Sequence, residues 1–173
     1  MAQATTKDWL DGIQKGLLQQ LTENKRALPK GFNQDRFILN SITVIRDMLR
    51  DSKKKKQLQE IDYTSIPICL AKGAFLGLDF FNQECYAIPY GGEMKFQTDY
   101  KGEIKLCKRY SKNEIKDIFA KVVREGDFFE ESVDSGVQNV VYKPLPFSNK
   151  PLVGAFAIVV FKDGSMLYDT MGK

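Results

Sequence analysis

Residues 85–111 read CYAIPYGGEMKFQTDYKGEIKLCKRYS. Two short runs, Glu84–Tyr90 and Glu93–Asp99, flank Gly91-Gly92, a dipeptide that tolerates positive φ at both centres of a tight hairpin turn. An even-length turn pairs Pro89 with Met94 and Tyr90 with Glu93, and counting outward sorts the faces. One face carries Cys85, Ala87, Pro89, Met94, Phe96 and Thr98, small and apolar. The other carries Tyr86, Ile88, Tyr90, Glu93, Lys95 and Gln97. Two readings of that second face are open: it faces another element of the core, or it is a platform on which unpaired bases stack while basic groups hold phosphates.

Tyr100–Tyr110 reads as a helix. Lys101, Lys105, Lys108 and Lys112 recur at i, i+4, i+7 and i+11, which at about 100° per residue places them on one stripe. Arg109 flanks the stripe, Tyr100, Ile104 and Cys107 form the adjacent side expected to be buried, and Glu103 points away. Between Lys101 and Arg124 there are eight basic and three acidic residues, an excess larger than the whole-chain net charge of +4. The rest of the chain is therefore close to neutral. A row of like charges costs repulsion that a polyanion along the same face would offset. An ordinary solvated lysine face is the alternative.

Working outward, residues 7–28 have the spacing of an amphipathic helix through Trp9, Ile13, Leu17, Leu18 and Leu21, broken by Pro29-Lys30-Gly31. A second helix starts after Asn33, its candidate cap, with Phe37, Ile38, Ile42, Ile45, Met48 and Leu49 as its stripe. It runs into Lys53–Lys56, four lysines that sweep around a helix and read as a solvated helix end, nucleic-acid contact being the alternative. A third helix fits 64–77, capped by Thr64 or Ser65, with Pro67 in its first turn and Ile68, Ala71, Phe75 and Leu78 on its apolar side. After the central helix, Glu114–Phe129 and Gln138–Lys143 read as strands around a loop with Gly136. Leu152–Phe161 is a buried-strand run that Asp163-Gly164 turns back into Ser165–Thr170. The expected class is α+β: N-terminal helices (residues 1–60), then a β-β-α-β-β-β-β core (residues 61–173) with a curved antiparallel sheet packed on a helix.

The 173-residue chain contains no His. That removes Ser-His-Asp and Cys-His catalysis and His-containing zinc sites. Neither a G-x-x-x-x-G-K-[ST] phosphate loop nor a G-x-G-x-x-G turn occurs. Cys69, Cys85 and Cys107 are odd in number, far apart and set among apolar neighbours. They read as small core residues in a reducing compartment, not as disulfides or metal ligands. The N-terminus MAQATTKDWLDG lacks the apolar stretch of a signal peptide, and no run of about 18 apolar residues occurs. A nuclease would need carboxylates such as Asp79, Glu84, Glu93 and Asp99 to gather around magnesium. Nothing in their spacing gathers them. A purely structural phage assembly protein would lack the clustered basic residues.

Gly77-Leu78-Asp79, the stretch 85–111, AKVVREGDFFE (120–130) and GAFAIVVFKDGSMLYDTM (154–171) together resemble the RecT/Redβ-type phage single-strand annealing proteins. The shared pattern is a G-L before the hairpin, an aromatic-Pro-Tyr-Gly turn, Gln97, Tyr100-Lys101-Gly102, the pair Lys108-Arg109, a V-x-E-G-D element at Val123–Asp127 and a K-D-G turn. It covers roughly residues 60–171. The resemblance implies ATP-independent, non-enzymatic binding of single-stranded DNA and annealing of complementary strands to a duplex. It also implies a ring or helical filament of identical subunits in the cytoplasm of a bacterial host, encoded by a phage or prophage. A phage exonuclease and the host single-strand-binding protein are the implied partners. No metal site or cofactor is expected, and magnesium would act on DNA binding by screening charge. Lys101, Lys105, Lys108, Arg109 and Lys112 are the expected backbone contacts, with Lys95, Gln97, Lys121 and Arg124 behind them and Tyr86 and Tyr90 for stacking. Trp9, Ile13, Leu17 and Leu21 either pack on a neighbouring subunit or cover the chain's own sheet. Family members usually continue past the position of Lys173, so the usual C-terminal helical region reads as missing or shortened. The position before Tyr100 is often Gly in the family and is Asp99 here. A carboxylate there is unfavourable beside phosphate unless it is paired, for instance by Lys95 or Lys101.

Overall fold

A computed structural model describes residues 6–173. The helices are α1 (Thr6–Glu23), α2 (Gln34–Arg50), α3 (Ser52–Glu60), α4 (Ser65–Leu76) and α5 (Tyr100–Tyr110). The strands are β1 (Cys85–Tyr90), β2 (Glu93–Thr98), β3 (Ile115–Arg124), β4 (Phe128–Asp134), β5 (Val137–Lys143), β6 (Leu152–Phe161) and β7 (Met166–Gly172). The α+β order holds. The run expected as one strand over 114–129 is interrupted by a turn at Glu125–Asp127, where Gly126 takes φ 84°, so β3 and β4 are separate. The strands form three antiparallel sheets, ordered β1-β2, β3-β6-β7 and β4-β5. The chain divides into two compact units, Met1–Leu106 and Cys107–Lys173, with the division inside α5.

In the first unit, α1 to α4 and the β1–β2 hairpin share a single core. Ile13, Leu17 and Leu21 are fully buried in it, and Trp9 packs edge-on against Tyr63 at 5.5 Å. Ile13, Leu17 and Leu21 therefore serve their own chain's core, and Trp9 packs partly buried against it. Helix α1 stops earlier than expected. Asn24 bonds back to the Gln20 carbonyl and a 3-10 turn, Lys25–Ala27, follows, because the residue before Pro29 is pushed out of the helical region. Asn33 caps α2 as expected, accepting from the Arg36 amide at 2.9 Å.

The lysine run is not the end of α2. Asp51 breaks the helix and caps a new one, accepting from the Lys53 and Lys54 amides at 2.9 and 3.1 Å. Those amides, with the two ammonium charges, hold its carboxyl below the usual range. Thr64 is the N-cap of α4 but makes no side-chain cap bond; Asp62 orders the turn before it, accepting from the Thr64 amide at 2.9 Å. Helix α4 is buried on most sides, through Ile66, Cys69, Leu70, Ala71 and Ala74, whereas Ile68 is exposed. A helix apolar nearly all round belongs in the middle of a core, where its stripe cannot be read from periodicity. It ends at Gly77, whose φ of 63° turns the chain while the Leu78 amide bonds the Gly73 carbonyl at 2.8 Å.

In the second unit the small core is Val123, Phe156 and Ile158. Phe129 and Tyr142 of the β4–β5 hairpin stack on Phe156 at 5.1 and 5.0 Å. Asp127, the last residue of the V-x-E-G-D element, ties the ends together. Its carboxylate accepts from the Leu145 amide (2.8 Å), the Arg124 amide (2.9 Å) and the Tyr142 hydroxyl (3.2 Å). The Leu145 and Arg124 amides foremost hold its carboxyl below the ordinary value of 3.8. Its stabilising contribution is thus complete above that value and fades as pH falls through it toward the depressed folded value. Asp127→Ala should lower the melting temperature at neutral pH, and the gap to the unsubstituted protein should narrow below pH ~4, measured by circular dichroism melts across pH.

Helix α5 starts on β1 through Gly102. A Cβ there would lie 2.1 Å from the Glu84 carbonyl oxygen, which is backbone and cannot swing aside. Gly102→Ala should therefore cost on the order of 1–3 kcal/mol in urea unfolding, whereas Gly172→Ala, with open space at its Cβ, should not.

Candidate nucleic-acid interface

The hairpin adopts the expected register, Pro89 with Met94 and Tyr90 with Glu93. Gly91 and Gly92 take φ of 61° and 79°, the pair of positive values a two-residue turn with the native strand twist requires. Ala87 and Met94 are buried on the α4 side. Tyr86, Ile88, Tyr90, Glu93, Lys95 and Gln97 are all exposed, so the second face is a solvent-facing platform and not a core surface.

The groups on the platform are not equivalent. Tyr90 is 73% exposed. Tyr86 donates its hydroxyl to Asp99 at 3.1 Å, a bond that favours the neutral phenol and raises its pKa. This bond anchors the Tyr86 hydroxyl at the start of α5. Lys95 is paired with Glu93 at 2.5 Å, so the platform's own cation is largely offset. Asp99 is paired by neither Lys95 nor Lys101 through their side chains. Its carboxylate accepts from the Lys101 amide at 3.2 Å and from Tyr86, and its carbonyl accepts from the Glu103 amide at 2.9 Å. It works as the N-cap of α5 through a side-chain bond to the Lys101 amide that a Gly at this position could not make.

The lysine stripe on α5 is rotated from its expected setting. The side facing the core is Gly102 and Leu106, while Tyr100 and Cys107 are exposed. Burial holds the other two thiols, Cys69 and Cys85, up at about 12, so they behave as inert core groups. The rotation follows from Gly102, the one residue thin enough to let the helix touch the β1 backbone. It leaves Lys101 and Lys108 exposed and brings Lys105 to the edge of the core, where it pairs with Glu84 at 2.6 Å. The Glu84 side chain is only 17% exposed and also accepts from the Asp79 amide at 2.9 Å. Lys105 is thus a structural cation and is withdrawn from the proposed backbone contacts. Arg109 is exposed and lies 5.9 Å from the Tyr110 ring, and Lys101 lies 6.0 Å from the Tyr100 ring. Helix α5 ends at Tyr110, so Lys112 sits in the turn after it, exposed.

Two further residues lie on β3 in the second unit. Lys121 is exposed opposite Phe156 in the β3–β6 register. Arg124 is partly buried and donates to the Lys150 carbonyl at 2.7 Å, so its guanidinium staples the strand end to the loop before β6.

The other candidate carboxylates also have assigned work. Asp79 accepts from Asn40 (2.8 Å) and the Phe81 amide (2.8 Å), and Glu93 holds Lys95. Sequence reasoning missed the exposed rings of Tyr100 and Tyr110 beside the stripe, and Glu84 as an anchor. The signal for the first was the glycine at 102, which marks the side of closest approach.

An exposed aromatic and amide-bearing hairpin followed by a cationic helix defines a surface suited to a flexible polyanion. The model of the RecT family matches residues 35–173, well over half of the chain, and the chain belongs to that family of phage-type recombination and annealing proteins. A search of curated proteins found no match. No helix among the described residues is long and apolar enough to cross a membrane.

Replacing Lys105 with Ala strands the half-buried Glu84 carboxylate, and a loss of about 1–3 kcal/mol in urea unfolding is expected. Glu84→Gln in the Lys105→Ala background should recover part of that loss, which a double-mutant cycle reads directly.

Proposed function

We propose that the chain binds single-stranded DNA without ATP and anneals complementary strands, with no covalent catalysis. The observation that carries this reading is the exposure of the hairpin's aromatic face next to the start of α5, where Lys101 forms no ion pair among the described residues. In the second unit, Lys108 and Lys112 are likewise outside every ion pair among the described residues. Lysine ammoniums are compact, rotatable point charges, so they neutralise phosphates without reading sequence. Tyr90, the most exposed ring of the platform, offers a π-face that accepts any base, with Tyr86 beside it. Gln97 adds an amide that bonds base edges or phosphate. Neutralised backbones with accessible base edges are what two strands need in order to pair.

The same reading places the protein in a homo-oligomeric ring or filament, in the cytoplasm of a bacterial host. It is there partnered by a phage exonuclease and the host single-strand-binding protein. Magnesium enters only by screening. The buried state of Ile13, Leu17 and Leu21 moves the search for subunit contacts to other surfaces.

Lys101→Ala with Lys108→Ala should weaken binding to labelled single-stranded DNA and lower its salt slope by about 1.4, near 0.7 per phosphate contact. Annealing of complementary oligonucleotides should slow in parallel, and added ATP should change neither. Binding that keeps its affinity and salt slope in this variant would refute the assignment of α5.

A further inference from the structure

The hairpin platform has one internal cation, and Glu93 offsets it. A polyanion lying on the platform must therefore find its positive charge at the platform's two ends. One end is α5, joined to β2 through Asp99. The other end is the Gly91-Gly92 turn, where the Asp62 amide donates to the Gly92 carbonyl at 2.8 Å and Ser65 accepts from the Met94 amide at 2.8 Å. Asp62 lies two residues past Glu60, so the turn end of the hairpin is fastened to the C-terminal end of α3, and the lysines of the first turn lie about 10 Å further along the helix axis. All of these groups up to Leu106 belong to the first compact unit.

Helix α3 holds Lys53, Lys54, Lys55 and Lys56 in its first turn. Four consecutive residues point in four directions, and on an ordinary surface helix at least one would be covered. Here all four are exposed, because Leu58 alone anchors α3 and it lies toward the opposite end. The first turn stands clear of the core. No carboxylate among the described residues forms an ion pair with any of the four, and Arg46 and Arg50 lie just before them. Between Arg46 and Glu60 there are six basic and three acidic residues. Concentrated like charge beside the positive end of a helix is unfavourable. Asp51 relieves part of that cost, through the two amides it accepts from and its attraction to the Lys53 and Lys54 charges, and leaves Lys55 and Lys56 without a carboxylate in ion-pair distance among the described residues. The fold gains nothing visible from the tetrad, whereas a ligand that is itself a chain of negative charges would.

We infer that Lys53–Lys56 on α3 form a second phosphate-backbone contact, beyond the turn end of the β1–β2 hairpin and one length of α3 away from it, so that a single DNA strand runs along the platform from α5 and onward to α3. This rests on the annealing function proposed above and adds a site to it. A six-residue strand is about 20 Å long, enough for about six nucleotides at the B-form rise per strand. The strand crosses Tyr86 and Tyr90 between two cationic ends, with its bases on the rings and its phosphates held at each terminus.

The test is a variant with Lys53, Lys54, Lys55 and Lys56 all replaced by Gln, compared with a charge-matched control carrying Gln at Lys7, Lys15, Lys25 and Lys30. Binding to fluorescein-labelled oligothymidylate is followed by anisotropy over a salt series, after circular dichroism confirms both folds. The tetrad variant should bind at least about tenfold more weakly, with its log–log salt slope reduced by up to about 3, and the control should change far less. Equal losses in the two variants would reduce the tetrad to its net charge and overturn the site. Unchanged binding by the tetrad variant, with the α5 variant impaired, would overturn the site while leaving the annealing function standing. Failure of the unsubstituted protein to bind the oligonucleotide would instead remove the proposed function itself. Binding of polyglutamate that requires the tetrad, with DNA binding intact, would reassign the patch to an acidic polypeptide. Lengthening the oligonucleotide stepwise adds a readout independent of folding. The difference between unsubstituted protein and tetrad variant should open only once the oligonucleotide is long enough to span the hairpin and reach the first turn of α3.

Discussion

Glu84 is where the hairpin and the helix after it are made into one object. Its carbonyl accepts the Asp99 amide at 3.0 Å and lies against Gly102, so the backbone at the start of β1 is the seat of α5. Its carboxylate takes Lys105 at 2.6 Å and the Asp79 amide at 2.9 Å, which ties both to the loop leaving α4. Asp79 in turn holds Asn40 of α2. A single residue therefore fixes the height of α5 above the sheet through its backbone and the rotation of α5 through its side chain. Which lysines face outward is a consequence of that rotation. A carboxylate this sheltered is tolerable only because it is paired and bonded, so the same interaction that orients the surface also makes one of its lysines unavailable to any ligand.

The register of the hairpin was readable because a Gly-Gly turn leaves few ways to pair the strands, and one slip would exchange an apolar face for a polar one. Whether the polar face met solvent or core was not readable, because that depends on what lies above it, and nothing in residues 85–98 encodes a neighbour. The rotation of α5 misled for a different reason. Tyr100, Ile104 and Cys107 look like a buried stripe on hydropathy, but burial followed close approach at Gly102, a steric property that hydropathy does not register. Ile13, Leu17 and Leu21 left two readings open because amphipathic spacing says that a face is covered and not by whom, and the chain's own core covers them. The break at Asp51 was in plain view as a capping residue, masked by the apparent continuity of the helical pattern into the lysines.

The charges of the first unit divide into two kinds once their partners are known. Lys105, Lys95 and Arg50 each answer a nearby carboxylate and shape the molecule locally. Lys101 and the four lysines of α3 answer none within ion-pair distance among the described residues. Counting basic residues along the chain treats both kinds alike, which is why the stretch from Lys101 to Arg124 looked richer as a ligand surface than its individual side chains are. Arg124 shows the same thing in the second unit, where a basic residue in a promising position is occupied by the Lys150 carbonyl.

Annealing also limits how tightly such a surface can hold its strand. Two strands that have found each other must be free to adjust register, so contacts that read base edges or clamp phosphates bidentately would trap mispaired intermediates. Lysine contacts fall off steeply with salt and carry no geometric fork, and tyrosine stacking is indifferent to base identity. A platform with offset internal charge and cations confined to its two ends fits that requirement better than a uniformly basic groove would. In the proposed binding mode the backbone would be held at the margins and the middle of the strand, over Tyr86, Ile88 and Tyr90, by stacking alone.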